Sequence, residues 1–232
     1  MKTPHTHSSG AVHLRRAAKS TRSDDDALSK GARTVDSLED LRTAVNTCRR
    51  CDLWRNATQG VPGEGHTPAK MLFVGEAPGD SEDLQGHPFV GPAGAVLDRA
   101  FQAADIDRDE VVVTNAVKHF KFEPRGKRRL HVKPSIAEMK ACHWWFEEEL
   151  RLVSPKLIVA LGSSGARAVL GKAVTISSLR AKPLPLPEGP HLWVTVHPSS
   201  LLRIPEEASR REEFLHFVDD LKKAKAWLAR HH

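Results

Sequence analysis

The sequence predicts an α/β fold, a three-layer αβα sandwich around a four-stranded parallel sheet. Two patterns carry that expectation. Four short apolar runs, 71–74, 111–114, 157–161 and 192–196, are nearly continuous, as in strands covered on both faces. Helical spacings over 93–104, 136–153 and 164–170 alternate with them, which is the signature of a parallel sheet with helices on both sides. At 232 residues the chain can bury a core without disulfide staples.

Along the chain, residues 1–35 read as a disordered basic tail. They are rich in Ser, Thr, His and charge, with five Lys/Arg and no acid before Asp24. Such a tail is a solvated extension or a weak steering arm for nucleic acid. The folded domain is expected over 36–232. It opens with a short helix over 37–47, with Leu38, Leu41 and Val45 on one face. Cys48-Arg49-Arg50-Cys51 follows, then a Gly/Pro loop over 60–68. A last amphipathic helix over 206–230 places Phe214, Phe217, Val218, Leu221 and Leu228 toward the core. No internal repeat is visible.

Composition removes several function classes. No apolar run approaches the roughly 18 residues of a membrane span. The N-terminus is polar and lacks the apolar segment of a signal peptide, so none is expected. Three cysteines, two of them in a CxxC, argue for a metal or cluster in a reducing compartment over a secreted disulfide framework. The net charge of +6 suggests a polyanionic partner.

In parallel α/β sheets ligands bind beyond the carboxyl ends of the strands. There the sequence places Gly75-Glu76-Ala77-Pro78-Gly79-Asp80 after the first strand, Asn115 after the second and His197-Pro198-Ser199-Ser200 after the fourth. A carboxylate, an amide and an imidazole are thus expected on one edge. Cys48, Cys51 and Cys142 can grip a Zn²⁺ or an iron–sulfur cluster, either with a histidine, His119 or His143, as the fourth ligand or with one position open. Residues 118–133 hold seven Lys/Arg against one acid, Glu123, a surplus equal to the charge of the whole chain. This loop is expected to neutralise phosphates, with Phe120 and Phe122 as stacking surfaces.

Together these residues resemble the uracil-DNA glycosylase superfamily. The resemblance rests on Gly75-Glu76-Ala77-Pro78-Gly79, Pro88-Phe89-Val90-Gly91, Asn115-Ala116-Val117-Lys118 and His197-Pro198-Ser199, and covers roughly residues 40–230. With the cysteines it looks like the iron–sulfur branch. Lys127-Arg128-Arg129-Leu130-His131 resembles the KRRIH loop of the X family (UdgX-like proteins), whose members excise uracil and stay covalently attached to DNA through the loop histidine. Two positions depart from the X family. Ala77 stands where that family carries Gln and matches family four, and Leu130 replaces Ile.

The resemblance implies the uracil-DNA glycosylase fold and a [4Fe-4S] cluster on Cys48, Cys51, His119 and Cys142, with a structural role. It implies uracil-containing DNA as partner, flipped or single-stranded so that the base is reachable. Phe89 would stack on uracil, Asn115 would read O4 and N3–H, and His197 would stabilise negative charge on O2. Glu76 would stabilise the sugar cation or activate a nucleophile. His131 would attack C1′ and hold the DNA. Ala77 lies in the substrate site, and Asp80 would position water or support its loop. Ser199 and Ser200 are candidate phosphate contacts, while Lys127, Arg128 and Arg129 would hold phosphates or brace the loop. The expected setting is a monomer without membrane contact in the bacterial cytoplasm, on the nucleoid when bound to DNA. The competing expectations are a conventional turnover enzyme of the family-four type and a non-catalytic binder of single-stranded or abasic DNA.

Overall fold

The computed structural model of the protein describes residues 35–187 and 189–232. The tail expected over 1–35 therefore lies outside the described residues, save Val35, which is buried. The compact body runs from Val35 to His232.

Helix α1, Leu38–Asn46, is capped by the Ser37 hydroxyl, which accepts the Asp40 N–H. It buries Leu41 and Val45. Strand β1, Met71–Gly75, is followed by α2, Asp80–Gln85, and α3, Pro92–Ala103. Then come β2, Val111–Asn115, a ribbon of β3, Phe122–Arg125, and β4, Arg128–His131, and the long α4, Ile136–Val153. Strand β5, Leu157–Leu161, leads into α5, Gly162–Leu170, and a one-turn α6, Ile176–Leu179. The chain closes with β6, Pro183–Pro185, β7, His191–Thr195, the short α7, Pro198–Leu202, and α8, Glu207–His231.

The sheet order is β2-β1-β5-β7-β6. The first four strands are parallel and are the four expected. The fifth, β6, is antiparallel to β7 and was not expected, because prolines at both of its ends deny it two ladder donors. Proline is tolerated there because β6 forms the edge.

Every β1, β2 and β5 residue is buried. Alternate side chains feed two cores. Leu72, Val74, Ile158 and Ala160 pack with Leu41, Val45, Trp145 and Phe146 of α1 and α4. Phe73, Val113, Val159 and Trp193 pack with Leu97, Phe101, Phe217 and Leu221 of α3 and α8. Each fully buried Leu, Ile or Phe side chain contributes about 1.5–3 kcal/mol, so the rigidity of the strand ends is set from both faces. Of the α8 residues expected in the core, Phe217, Val218, Leu221 and Leu228 are buried and Phe214 is partly so.

The 118–133 stretch is a correction to the sequence reading. It is not a loop but a β-hairpin that pairs Phe122 with His131 and Arg125 with Arg128. Gly126 takes the left-handed conformation its two-residue turn demands (φ 60°). The hairpin stands outside the main sheet.

Candidate active site

Strand register sets the floor of the site. Gly75 pairs with Asn115 at the carboxyl ends of β1 and β2. A methyl at Gly75 would lie 2.4 Å from Asn115 Oδ1, 2.7 Å from Phe89 Cζ and 3.4 Å from His197 Nε2. Three side chains from separate segments thus converge on one point, and only a glycine leaves that point open. They line a cavity of about 880 Å³, together with Glu76, Ala77, Asp80, His131, Ser199, Ser200 and Arg203.

Phe89 is buried and has a left-handed backbone (φ 56°), a conformation that strains a bulky residue and that persists only where its surroundings impose it. Gly94 permits it: a Cβ there would meet the Phe89 carbonyl oxygen at 1.9 Å. The Phe89 ring stands 6.1 Å from that of His197. Asn115 is buried, and among the described residues its side-chain amide has no hydrogen-bond partner. Its donor and acceptor are therefore free for a ligand.

His197 caps α7 and accepts the Ser199 N–H at Nδ1 (3.1 Å). This assigns the neutral tautomer with the proton on Nε2, the atom facing the floor. Burial pushes its pKa down to about 4, and Arg203 and His131 act in the same direction. The ring is therefore a neutral donor at physiological pH. Ser199 Oγ lies 2.9 Å from His197 Nδ1 and accepts from Arg203 (3.2 Å), while Ser200 Oγ donates to the His197 carbonyl (2.7 Å). Both serines, expected to meet phosphates, are placed to orient His197.

Glu76 accepts a hydrogen bond from the Ser164 hydroxyl at Oε2. Its Oε1 lies 3.8 Å from His131 Nε2, and Lys133 Nζ lies 3.8 Å from Oε2. Burial lowers the His131 pKa and Glu76 opposes that shift, with burial dominating. The imidazole thus keeps a nucleophilic nitrogen below the usual histidine range.

Arg129 does not point outward. It donates to Asp80 (2.6 Å) and Asp83 (2.6 Å) of α2, and to Thr58 (3.3 Å). Its guanidinium lies 5.1 Å from the Phe122 ring and 5.4 Å from that of Phe120, which stack on each other at 5.1 Å. Arg129 therefore braces the hairpin, and Asp80 supports it. Phe120 is buried and offers no stacking surface. Lys118, counted among the loop cations, is also buried. It donates to Glu149 (2.7 Å), Thr114 (2.8 Å) and the Asn115 carbonyl (2.6 Å). Removing one partner of such a buried pair costs about 3–5 kcal/mol, so this contact fixes the turn beneath Asn115. Lys121 pairs with Glu138. Arg125, Lys127 and Arg128 remain exposed without ion-pair partners among the described residues.

Sequence reasoning missed Ser164, Arg203, Asp83 and Glu82. Ser164 follows β5, so the strand-edge rule reaches it once the carboxylate above is seen. Arg203 ends the one-turn α7 that begins after His197. Glu82 is buried and accepts Gly79 N–H (3.1 Å) and Gly91 N–H (2.8 Å), tying two rim loops together. Nothing local in the sequence marks it.

Cys142 is buried in the α1–α4 core, and Cys48 and Cys51 pack against that core. Trp145 Nε1–H donates to Cys48 Sγ (3.1 Å) and Lys118 N–H to Cys142 Sγ (3.2 Å). Burial pushes the Cys142 thiol up to about 12, and the other two cysteines add to the shift. Cys142 thus senses the other two cysteines, and a cationic group beside it would favour its thiolate. His119 is buried and its pKa is lowered by burial, so it keeps a free lone pair. His143 instead faces Glu147 (3.3 Å). Among the described residues no three His, Cys, Asp or Glu side chains close around a single metal ion. Three thiols and a neutral imidazole are donors of the soft type that suit zinc or an iron–sulfur group.

Residues 62–222 match the family model of the uracil DNA glycosylase superfamily. The chain is 34% identical over 193 residues to a type-4 uracil-DNA glycosylase of Thermotoga maritima, covering 82% of this chain and 94% of that protein. It is 38% identical over 139 residues to the type-4 uracil-DNA glycosylase of Sulfurisphaera tokodaii, covering 60% of each chain. A type-5 uracil-DNA glycosylase of Pyrobaculum aerophilum is 29% identical over 180 residues, covering 71% of this chain and 76% of that one. The matched span takes in β1 through most of α8, and with it every strand end that builds the cavity, so the chain belongs to the uracil DNA glycosylase superfamily.

Proposed function

We propose that the protein is a uracil-DNA glycosylase whose reaction ends with the DNA covalently attached to His131. The observation that carries this reading is the placement of His131 Nε2 3.8 Å from Glu76 Oε1 at the mouth of the cavity whose floor holds Asn115, Phe89 and His197.

A flipped uracil would stack on Phe89, worth roughly 1–3 kcal/mol. Asn115 would donate to O4 and accept from N3–H, a pattern that cytosine reverses. The C1′–N1 bond breaks with its electron pair going to uracil, and His197 Nε2–H stabilises the charge on O2. Glu76, held by Ser164, faces the cationic sugar. His131 Nε2, the unprotonated nitrogen of a neutral ring oriented by Glu76, then bonds to C1′ with its lone pair, and the imidazolium so formed gives up its Nδ1 proton to solvent. The resulting glycosidic imidazole lacks a good leaving group, so the adduct persists. Single-stranded DNA is the favoured substrate, because its bases are already unstacked. Lys127 and Arg128 would meet its phosphates.

The donor set supports a [4Fe-4S] cluster held by Cys48, Cys51, His119 and Cys142. When bound it supplies a cross-link between the CxxC loop, α4 and the base of the hairpin. Loss of visible absorbance in Cys142→Ala, with retained absorbance in His143→Ala, tests this set.

A second reading is supported by Ala77, whose methyl lines the cavity where the X family carries Gln. The smaller side chain leaves room for water to take the place of His131, which gives an ordinary turnover enzyme. A denaturing gel decides between them. The expected result is a band with uracil-containing single-stranded oligonucleotide that survives boiling in SDS. It is absent with thymine and absent with His131→Ser. Alkali-labile sites without that band mean turnover, and neither signal means a DNA binder without catalysis.

A further inference from the structure

The cysteine loop has a surface that the proposed chemistry does not use. Arg49, Arg50 and Arg55 are exposed, and each guanidinium lies on a tryptophan. Arg49 is 4.0 Å and Arg55 5.0 Å from the Trp54 ring, and Arg50 is 4.5 Å from the Trp144 ring. Both tryptophans are partly exposed. The sole acid of this segment, Asp52, pairs with Arg55 (2.8 Å).

We infer that this surface is a second contact for single-stranded DNA, engaging the strand that flanks the uracil. The inference rests on DNA being the substrate but not on capture by His131. Three features favour it. A guanidinium lying on an aromatic ring is held in place, so it binds a phosphate at a low cost in conformational freedom. Arg49 donates one N–H to the Cys48 carbonyl (2.7 Å) and Arg55 its Nε–H to Asp52, and each keeps further donors. Partly exposed tryptophans beside such cations form the stacking platform that unpaired bases use. The platform is also braced from below: Trp144 packs edge-on against Trp145 (4.5 Å), whose indole N–H is bound to Cys48 Sγ.

The surface connects to the cavity. Thr58, three residues beyond Arg55, donates its N–H to Asp83 (2.9 Å) and accepts from Arg129. Arg129 in turn holds Asp80 at the cavity rim. The segment that carries these arginines is thus tied through Thr58 to the hairpin that borders the cavity.

The test uses uracil-free single-stranded oligonucleotide, so that a failure of excision or capture cannot be mistaken for a failure of this surface. Binding is followed by fluorescence anisotropy over a range of salt concentrations. In R49Q/R50Q/R55Q the slope of log K against log salt should fall by about two, given about 0.7 per phosphate contact on a single strand. R49K/R50K/R55K should keep the wild-type slope. Acrylamide quenching of tryptophan in the unaltered protein gives a second readout that no folding defect can confuse. The oligonucleotide should protect the accessible tryptophans, and W54F should lose part of that protection. An unchanged slope in the glutamine variant, or tryptophans that stay equally open to acrylamide, overturns the inference, as it would if the true occupant were an acidic protein segment.

Discussion

The floor and the hairpin are built on opposite principles. Gly75, Asn115 and His197 sit at or just beyond the ends of strands buried on both faces, and Phe89 is locked behind them. His131 sits on a two-stranded ribbon paired only with itself and largely exposed. What holds that ribbon is Arg129 on Asp80 and Asp83, over two stacked rings. Base recognition is therefore fixed by the core, whereas the group proposed to act on the sugar hangs from a peripheral device held by a few polar contacts. The two can be altered separately.

The largest effect should come from the floor. Gly75→Val fills the point where Asn115, Phe89 and His197 meet, and single-turnover uracil release should fall by about 10³-fold or more, the scale on which a hydrogen-bonding pocket rejects a misfit. Thermal melting should fall as well, because the added atoms press on buried Asn115 and Phe89, so release is compared on protein shown to be folded at the assay temperature. Activity retained within tenfold would break the comparison at its strongest side.

The hairpin should answer differently. Arg129→Gln leaves Asp83 buried without its cation, a loss of about 1–3 kcal/mol. Uracil release should persist while the yield of adduct drops about tenfold, as His131 loses its place beside Glu76. Equal losses of release and adduct would mean that the two regions are not separable.

Acid should distinguish them again. The unfolded chain protonates His197 near 6.5, whereas the folded protein resists until about pH 4. Stability should be unaffected by this group above pH 6.5 and decline as pH falls from 6.5 to 4, by about 3 kcal/mol in all. Chemical denaturation at several pH values measures it, and His197→Asn should flatten that part of the profile. The smallest effect should come from Ser199→Ala. The backbone N–H that fixes the His197 tautomer remains, so release should fall less than tenfold; a larger loss would assign the hydroxyl a direct part in catalysis.

The four parallel strands and the long helices were legible because buried strands read as unbroken apolar runs and covering helices show a 3.6-residue period. Strand β6 was not, since Pro183 and Pro185 speak against a strand and only its edge position admits them. Glu76, Asn115 and His197 were legible as strand-end residues. The roles of Lys118 and Arg129 were not, because a cation in a basic segment looks solvated until its carboxylate is known. Glu149 lies 31 residues from Lys118 and Asp83 lies 46 from Arg129. Such pairings are tertiary facts with no local pattern.

Glu82 has a kinetic consequence. Its two oxygens hold the Gly79 and Gly91 amides, one on each of two rim segments separated along the chain. The Gly91 segment cannot swing out without releasing its hold on that carboxylate. Glu82 and Gly79 belong to one capped helix start, so that wall is the fixed one and the Gly91 segment is tied to it by one bond; the Gly91 amide should exchange with solvent deuterium at least as fast as that of Gly79. A substrate entering the cavity then meets one wall set by a helix cap and one wall set by a single hydrogen bond.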